Sequence, residues 1–264
     1  MAHFLYTLCS SSSGNCCYFG NGSSGILIDT GLSMRRLHAQ LGLVSVDPQG
    51  IKAVFVTHEH TDHISGLRNF TERYSVPVFG SEGTLNALIQ KDAISAKTQL
   101  YEIDKKTISI DQMEVGVFHT SHDSAESLGI TITTQSGKKT AVCTDLGYVS
   151  QVVQENLDGC DIVMLESNYD EEMLACGSYH PALKRRVCSD VGHLSNPGCA
   201  KEITRLAKNG TSKFVLAHLS KENNRPETAL AETVSALHKN GLRIEQDYQI
   251  TVAPRIGVGK MIEV

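Results

Sequence analysis

Three histidines and an aspartate fall within six residues of this 264-residue chain, in the run Thr57-His58-Glu59-His60-Thr61-Asp62-His63. The run follows an apolar β-type segment, AVFV (53–56), and opens a helix that begins near His63. At such a junction side chains project beyond the strand's end, and the first amides of the helix have no partner. His58 and His60, two apart on an extended turn, point the same way, while Asp62 and His63 fall on the first helical turn. Three imidazoles and a carboxylate converging there suit two divalent ions such as zinc, whose nitrogen and oxygen ligands sit at about 2.0–2.2 Å. At this chain's own His and Asp frequencies the pattern HxHxDH arises by chance about once in a thousand such chains, so it reads as a metal site. It is not the HExxH helix of zinc proteases, because His60 lies two residues after His58.

The run constrains the fold because the site needs more ligands than it supplies, and those must arrive from other strand ends. Three candidates stand where a β-type run gives way to a loop: His122 after MEVGVFHT (113–120), Asp145 ending KTAVCTD (139–145) and His218 ending KFVLAH (213–218). His119 competes with His122, and strand alternation together with the following Asp123 favours His122. Further β-type runs, rich in Val, Ile, Thr and aromatics, lie at 3–8, 16–19, 25–29, 52–57, 129–134, 161–166 and 248–253, with a last one at the terminus. Helical periodicity covers 33–41, 63–74, 83–90, 178–190, 197–208 and 226–239. Asn196 then Pro197 reads as an N-cap and first turn, and Pro226-Glu227 opens the last long helix. No linker, repeat or charge block interrupts residues 1–264, so the expectation is one α/β domain, two sheets covered by helices in four layers.

Composition narrows the setting. Hydrophobic residues make up 41% and charged residues 20% of the chain, an ordinary globular balance. No apolar run approaches the roughly 20 residues of a membrane helix, and the N-terminal stretch lacks the basic start of a signal peptide, so the expectation is a cytoplasmic protein. The eight cysteines contain no CxxC pair and read as reduced, mostly buried thiols. A net charge of −5 argues against a surface that binds polyanions all over, while leaving room for a local basic patch.

The motif, with isolated His, Asp and His at later strand ends, resembles the metallo-β-lactamase fold family, an αββα sandwich with a dinuclear site between its sheets. More narrowly the chain resembles the YycJ/WalJ group of 5′–3′ exonucleases. The matching stretches are SSSGNCCYF (11–19), ILIDTGLS (26–33), THEHTDHISG (57–66), HTSHDSAESLGI (119–130), TDLGYV (144–149), LESNYDEEML (165–174), GHLSN (192–196) and LAHLSKENNRPETA (216–229). Carried over by position, the resemblance implies one metal held by His58, His60 and His122 and another by Asp62, His63 and His218, with Asp145 bridging. Asp29, in IDTG, is implied as the partner of a ligating histidine. Glu166 and His193 resemble the Glu–His pair that delivers a proton in tRNA 3′-processing enzymes of this fold.

The implied chemistry is phosphodiester hydrolysis. A hydroxide bridging two divalent ions (zinc or manganese, with iron a third candidate) attacks phosphorus, Asp62 orients it, and His193 protonates the leaving oxygen. The Ser11–Asn15 loop, with Ser12, Ser13 and Asn15, offers hydroxyl and amide groups to a phosphate. Lys184, Arg185 and Arg186, and Asn223, Asn224 and Arg225, are candidates for a nucleic-acid backbone. Only 72 residues lie between Asp145 and His218, too few for the nucleic-acid-binding domain inserted there in β-CASP nucleases. No flexible arm like that of the tRNA-processing enzymes is visible. The first expectation is therefore a 5′–3′ exonuclease on duplex DNA. The alternative is a phosphodiesterase for a cyclic or nucleotide phosphate, and a scaffold with a vestigial site is a third, which the full ligand set disfavours.

Overall fold

A computed structural model describes residues 2–104 and 106–264. Among the described residues, fourteen strands form two sheets of seven. The first contains β1 (Phe4–Ser11), β2 (Gly14–Gly20), β3 (Gly25–Ile28), β4 (Ile51–Phe55), β5 (Val78–Gly80) and β6 (Leu100–Glu102), with β14 (Ile262–Glu263) added beside β1. The second contains β7 (Ile108–Ile110), β8 (Met113–His119), β9 (Leu128–Thr134), β10 (Lys139–Cys143), β11 (Ile162–Glu166), β12 (Lys213–Ala217) and β13 (Gln249–Val252), ordered from β13 back to β7. Strands β3 to β6 run parallel, as do β10 to β13. In both sheets the parallel strands end at the edge where the motif residues emerge, which is where open α/β sheets place their sites.

Apolar residues of both sheets meet between them: Ile28, Phe55 and Phe79 of the first pack with Val117, Ile130, Val142, Met164 and Val215 of the second. The outer faces are also covered. Helices α1 (Met34–Leu43), α3 (Leu67–Tyr74) and α4 (Glu82–Gln90) lay Leu37, Leu41, Phe70 and Leu88 on Leu27, Val54 and Val56. Helices α5 (Gln151–Leu157), α8 (Asn196–Lys208) and α9 (Pro226–Lys239) cover Val163, Leu165, Phe214 and Leu216. Helices α6 (Glu171–Cys176) and α7 (Pro181–Val187) stand over a small cluster of Tyr169, Leu174 and Val187. This is the expected sandwich of helices, two sheets and helices. β11 is buried along its whole length, which is why its sequence, IVMLE, is almost continuously apolar.

Several local expectations needed correction. The helix read over 63–74 is two pieces, α2 (Thr61–Ile64) and α3, broken at Ser65 and Gly66. There the chain turns so that Gly66 N–H donates to Thr30 O at 2.9 Å. The cap of α8 is Ser195, whose side chain accepts from Gly198 N–H. Asn196 lies inside the helix because its amide is drawn into a buried network, with Oδ1 accepting from Ser167 Oγ at 2.7 Å. His3 is buried and stacks on Phe19. Six cysteines are buried, Cys176 and Cys188 are exposed, and all eight are free. Among the described residues no helix is long and apolar enough to cross a membrane.

The loop after β3 is pressed onto the motif. Thr30 N–H donates to His63 O at 2.8 Å, and a Cβ on Gly31 would drive into the backbone carbonyl of Asp62. Backbone cannot yield as a flexible side chain does, so Gly31→Ala is expected to destabilise the protein by about 1–3 kcal/mol. Gly42, near the end of α1, is the control, because a Cβ there meets nothing within 4 Å. Gly42→Ala is expected to add up to about 1 kcal/mol by reducing the freedom of the unfolded chain. Thermal unfolding of the two variants should move Tm in opposite directions; a Gly31→Ala Tm at or above wild type would overturn the close packing inferred at Gly31.

Candidate metal centre

The centre is assembled where strands of both sheets stop. β4 leads into Thr57 and the motif, with His60 in extended backbone as the N-cap of α2. From the second sheet come His122, three residues past β8, Asp145, two past β10, Glu166, the last residue of β11, and His218, the first past β12. Asp29, Asp145 and His218 each leave their strand in the left-handed region, with φ of 58°, 59° and 54°. Non-glycine residues rarely adopt that conformation, and where they do the surrounding structure holds them there.

These turns bring the side chains together. The candidate ligand atoms of His58, His60 and His122 lie within 4.8 Å of one another, and so do those of Asp62, His63 and His218. Asp145 lies between the two sets, with Oδ2 3.4 Å from His63 Nε2 and Oδ1 3.7 Å from His122 Nε2. All seven sequence-derived candidates converge. His119 does not: it is 41% exposed and faces Asp104 and Glu126 at 3.7 and 3.9 Å.

Outer partners fix the imidazoles. His63 Nδ1 donates to Asp29 Oδ2 at 2.7 Å, and His122 Nδ1 donates to Gly192 O at 3.0 Å. His218 Nδ1 donates to Glu166 Oε1 at 2.6 Å. Thr57 Oγ1 donates to the Asp29 carboxylate at 2.8 Å and so accepts from His58 Nδ1 at 3.1 Å. In the neutral form of all four rings Nε2 is therefore the nitrogen with the lone pair, the arrangement found in metal-binding histidines.

Divalent ions fit these residues. His58 Nε2, His218 Nε2 and Asp145 Oδ2 are buried without a hydrogen-bond partner, and His60 Nδ1 lies only 3.3 Å from His122 Nε2. Unpaired buried polar atoms are costly, and a cation among these satisfies them together.

Residues 25–219 match the Beta-lactamase superfamily domain. The chain belongs to the metallo-β-lactamase superfamily. Within it, the chain is 35% identical over 251 residues to exodeoxyribonuclease YycJ of Bacillus anthracis, covering 94% of each. It is 32% identical over 252 residues to exodeoxyribonuclease WalJ of Streptococcus pneumoniae, covering 94% of this chain and 93% of that one. The metallo-β-lactamase fold protein YhfI of Bacillus subtilis superposes with a TM-score of 0.75 at 15% identity, each chain covered completely. Family membership together with near end-to-end relatives named exodeoxyribonucleases makes the protein a metal-dependent hydrolase.

The expected Glu166–His193 pair forms, with His193 Nδ1 donating to Glu166 Oε1 at 2.9 Å. The reading of the sequence missed that Glu166 also holds His218, and that Oε2 accepts from the backbone N–H groups of Leu146 and Leu194 at 3.1 and 3.0 Å. It also missed Glu59, whose Oε1 accepts from Ala125 N–H at 3.0 Å and ties down the loop that carries His122. Glu59 lies within the motif, but nothing in its spacing marked it.

The other candidates are placed unevenly. Ser12 and Ser13 are exposed at the β1–β2 turn. Asn15 is buried beside Asp62 and His63. Asn223 and Asn224 are each 1% exposed, which corrects the expectation that they face a nucleic acid. The Asn224 amide is committed within the protein, donating to Ser167 O and Asn168 O at 2.8 and 3.0 Å. Of the three cations on α7, Arg186 pairs with Asp123, Lys184 donates to Ala175 O, and Arg185 is exposed.

Without metal, the two sets hold protons differently. Burial and the surrounding imidazoles push His58 well below its usual range, so it is neutral. Burial also disfavours charge on His63, but Asp29 and Asp145 outweigh it and raise that ring to about 9. A cation needs the neutral ring. Below about pH 9 its binding must therefore expel the His63 proton, and apparent affinity falls as pH is lowered. Calorimetric titration at pH 7.5 in buffers of different ionisation enthalpy should show proton release; a buffer-independent heat would contradict it.

Proposed function

We propose that the protein is an exodeoxyribonuclease that degrades duplex DNA from the 5′ end, using two divalent ions. The ions are zinc or manganese, with iron a third candidate. His58, His60 and His122 would hold one ion, Asp62, His63 and His218 the other, and Asp145 would lie between them. The observation that carries the reading is Glu166 holding His193 beside the ligand sets, joined to relatives named exodeoxyribonucleases that match nearly end to end. A hydrolase of phosphodiesters needs a proton for its leaving alkoxide, and His193 is the group suited to give it.

Bound divalent ions supply a water-derived nucleophile at neutral pH and offset charge on the phosphoryl oxygens. The chain's own residues do the rest. Glu166 fixes the His193 ring through Nδ1, which leaves Nε2 to pass the proton, and the side chain is 18% exposed, within reach of a substrate. Asp62 orients the attacking water. The exposed Ser12 and Ser13, with the exposed Arg185 on α7 and Arg225 at the start of α9, are groups available to the DNA backbone.

Duplex DNA labelled separately at its 5′ and 3′ ends, digested with added Mn²⁺, tests this. Early mononucleotide release from the 5′ label is the expected result. Release from the 3′ label first would reverse the polarity. No release with the metals verified as bound would move the substrate to a cyclic or nucleotide phosphate.

A further inference from the structure

Asn15 lies on β2, opposite Ser10 across the β1–β2 hairpin. Two backbone groups fix which way its amide points: Oδ1 accepts from Ser11 N–H at 3.1 Å, and Nδ2 donates to Ser11 O at 3.0 Å. An N–H only donates and a carbonyl only accepts, so turning the amide over would break both bonds. In that orientation Nδ2 also donates to Asp62 Oδ2 at 3.2 Å and lies 3.0 Å from His63 Nε2. Oδ1 further accepts from Ser10 Oγ at 3.4 Å, and Ser10 Oγ accepts from the backbone N–H of His218 at 2.8 Å. Asn15 O accepts from the N–H of Gly31, the residue pressed against Asp62.

Asn15 is thus tied to Asp62 and His63 and, through Ser10, to His218. Among the described residues, no hydrogen bond joins it to His58, His60 or His122. We propose that Asn15 is a positioning residue for the Asp62–His63–His218 set, aiming the Asp62 carboxylate and raising that set's affinity for its ion, without touching substrate. The inference rests on the two-ion reading above. The side chain has to be an amide: its Nδ2 carries two hydrogens, which one directs at Asp62 and the other at Ser11. An aspartate would instead set a second anion against Asp62 and lose both donations.

The probe is Mn²⁺ alone, titrated calorimetrically into the metal-free full chain. In a His60→Ala background, which weakens the three-histidine set, adding Asn15→Ala is expected to reduce Mn²⁺ affinity about 10–100-fold, as loss of an outer partner does. In an Asp62→Ala background, where the Asp62–His63–His218 set has lost its carboxylate and Mn²⁺ reports the three-histidine set instead, the same change is expected to shift affinity less than about twofold. Ser10→Ala, which severs only the link to His218, should give a smaller loss in the same direction, and it decides the matter if Asn15→Ala does not fold. Equal weakening in both backgrounds would overturn the proposal. So would unchanged affinity with a raised KM for DNA, which would make Asn15 a substrate contact. Stoichiometry of the unmodified protein is a separate readout: one ion would count against the two-ion reading, while the two backgrounds still judge Asn15.

Discussion

Glu166→Ala is expected to lower the stability of the metal-free protein by about 3–5 kcal/mol, the range for removing one partner of a buried charged network. The carboxylate is fully buried at the end of β11 and accepts from His193 Nδ1, His218 Nδ1, Leu146 N–H and Leu194 N–H. Alanine leaves two backbone donors buried without an acceptor and two imidazoles unanchored, and each orphaned group carries its own desolvation cost. Glu166→Gln keeps the volume but presents an amide N–H to one pair of donors, so it should fall between wild type and alanine. The pH dependence gives an independent check. Burial by itself would raise the Glu166 carboxyl, but the charge and hydrogen bonds of His193 and His218 hold it well below its usual 4.5. A depressed folded-state pKa contributes stability above the unfolded value, and that contribution is lost as pH falls below about 4.5 toward the folded one. Acid destabilisation should therefore be steeper for wild type than for Glu166→Ala. Denaturant titrations across pH 3–7 measure both effects; a loss under about 1 kcal/mol would mean the four bonds do not act together. With His193 as the proposed proton donor, loss of its partner should also slow phosphodiester hydrolysis about 10²–10⁴-fold.

Asp62→Ala is expected to act in the opposite manner, abolishing function while sparing the fold. Its side chain is 23% exposed and stands on α2, outside the apolar clusters. Burial disfavours its charge, but His218 and His63 outweigh that and hold the carboxyl well below its usual range, so the metal-free variant should lose about 1–2 kcal/mol, well short of the Glu166→Ala loss and too little to unfold the protein. Hydrolysis should fall by at least about 10³-fold, since Asp62 is the residue proposed both to orient the nucleophile and to belong to one ligand set. Rates on a chromogenic phosphodiester and on 5′-labelled DNA, with metal content measured in parallel, check this independently of the natural substrate. Unchanged turnover would sink the mechanism, whatever the substrate proves to be.

The two variants mark what could and could not be read in the sequence. Asp62 was legible because HxHxDH carries its meaning in local spacing, and His122, Asp145 and His218 followed from the rule that functional groups sit at strand ends. The second duty of Glu166 was not legible. It depends on β11 and β12 being parallel neighbours, with Glu166 opposite Ala217, so that the next residue, His218, turns back onto it. Strands β5, β6 and β7 went unread because three residues are too few to show a period of two. Helices α5 and α6, of seven and six residues, were also not read. Asn224 was misjudged because a polar residue in a loop looks exposed until the network around Asn196 and Ser167 is seen.

The left-handed ends of β3, β10 and β12 restrict which side chains can ever stand at those positions. Glycine adopts that backbone freely but brings no functional group, and aspartate, asparagine and histidine are the side-chain-bearing residues that tolerate it best. A cysteine or glutamate introduced at 145 or 218 to recruit a softer or more acidic coordination would begin with a conformational penalty of about 1–3 kcal/mol, before any ion was considered. Replacements at His58 or His60, which lie outside the left-handed set, escape that tax. Attempts to retune this centre for another metal should therefore succeed first in the strand-to-helix motif, while the ends of β10 and β12 accept only exchanges within a very small alphabet.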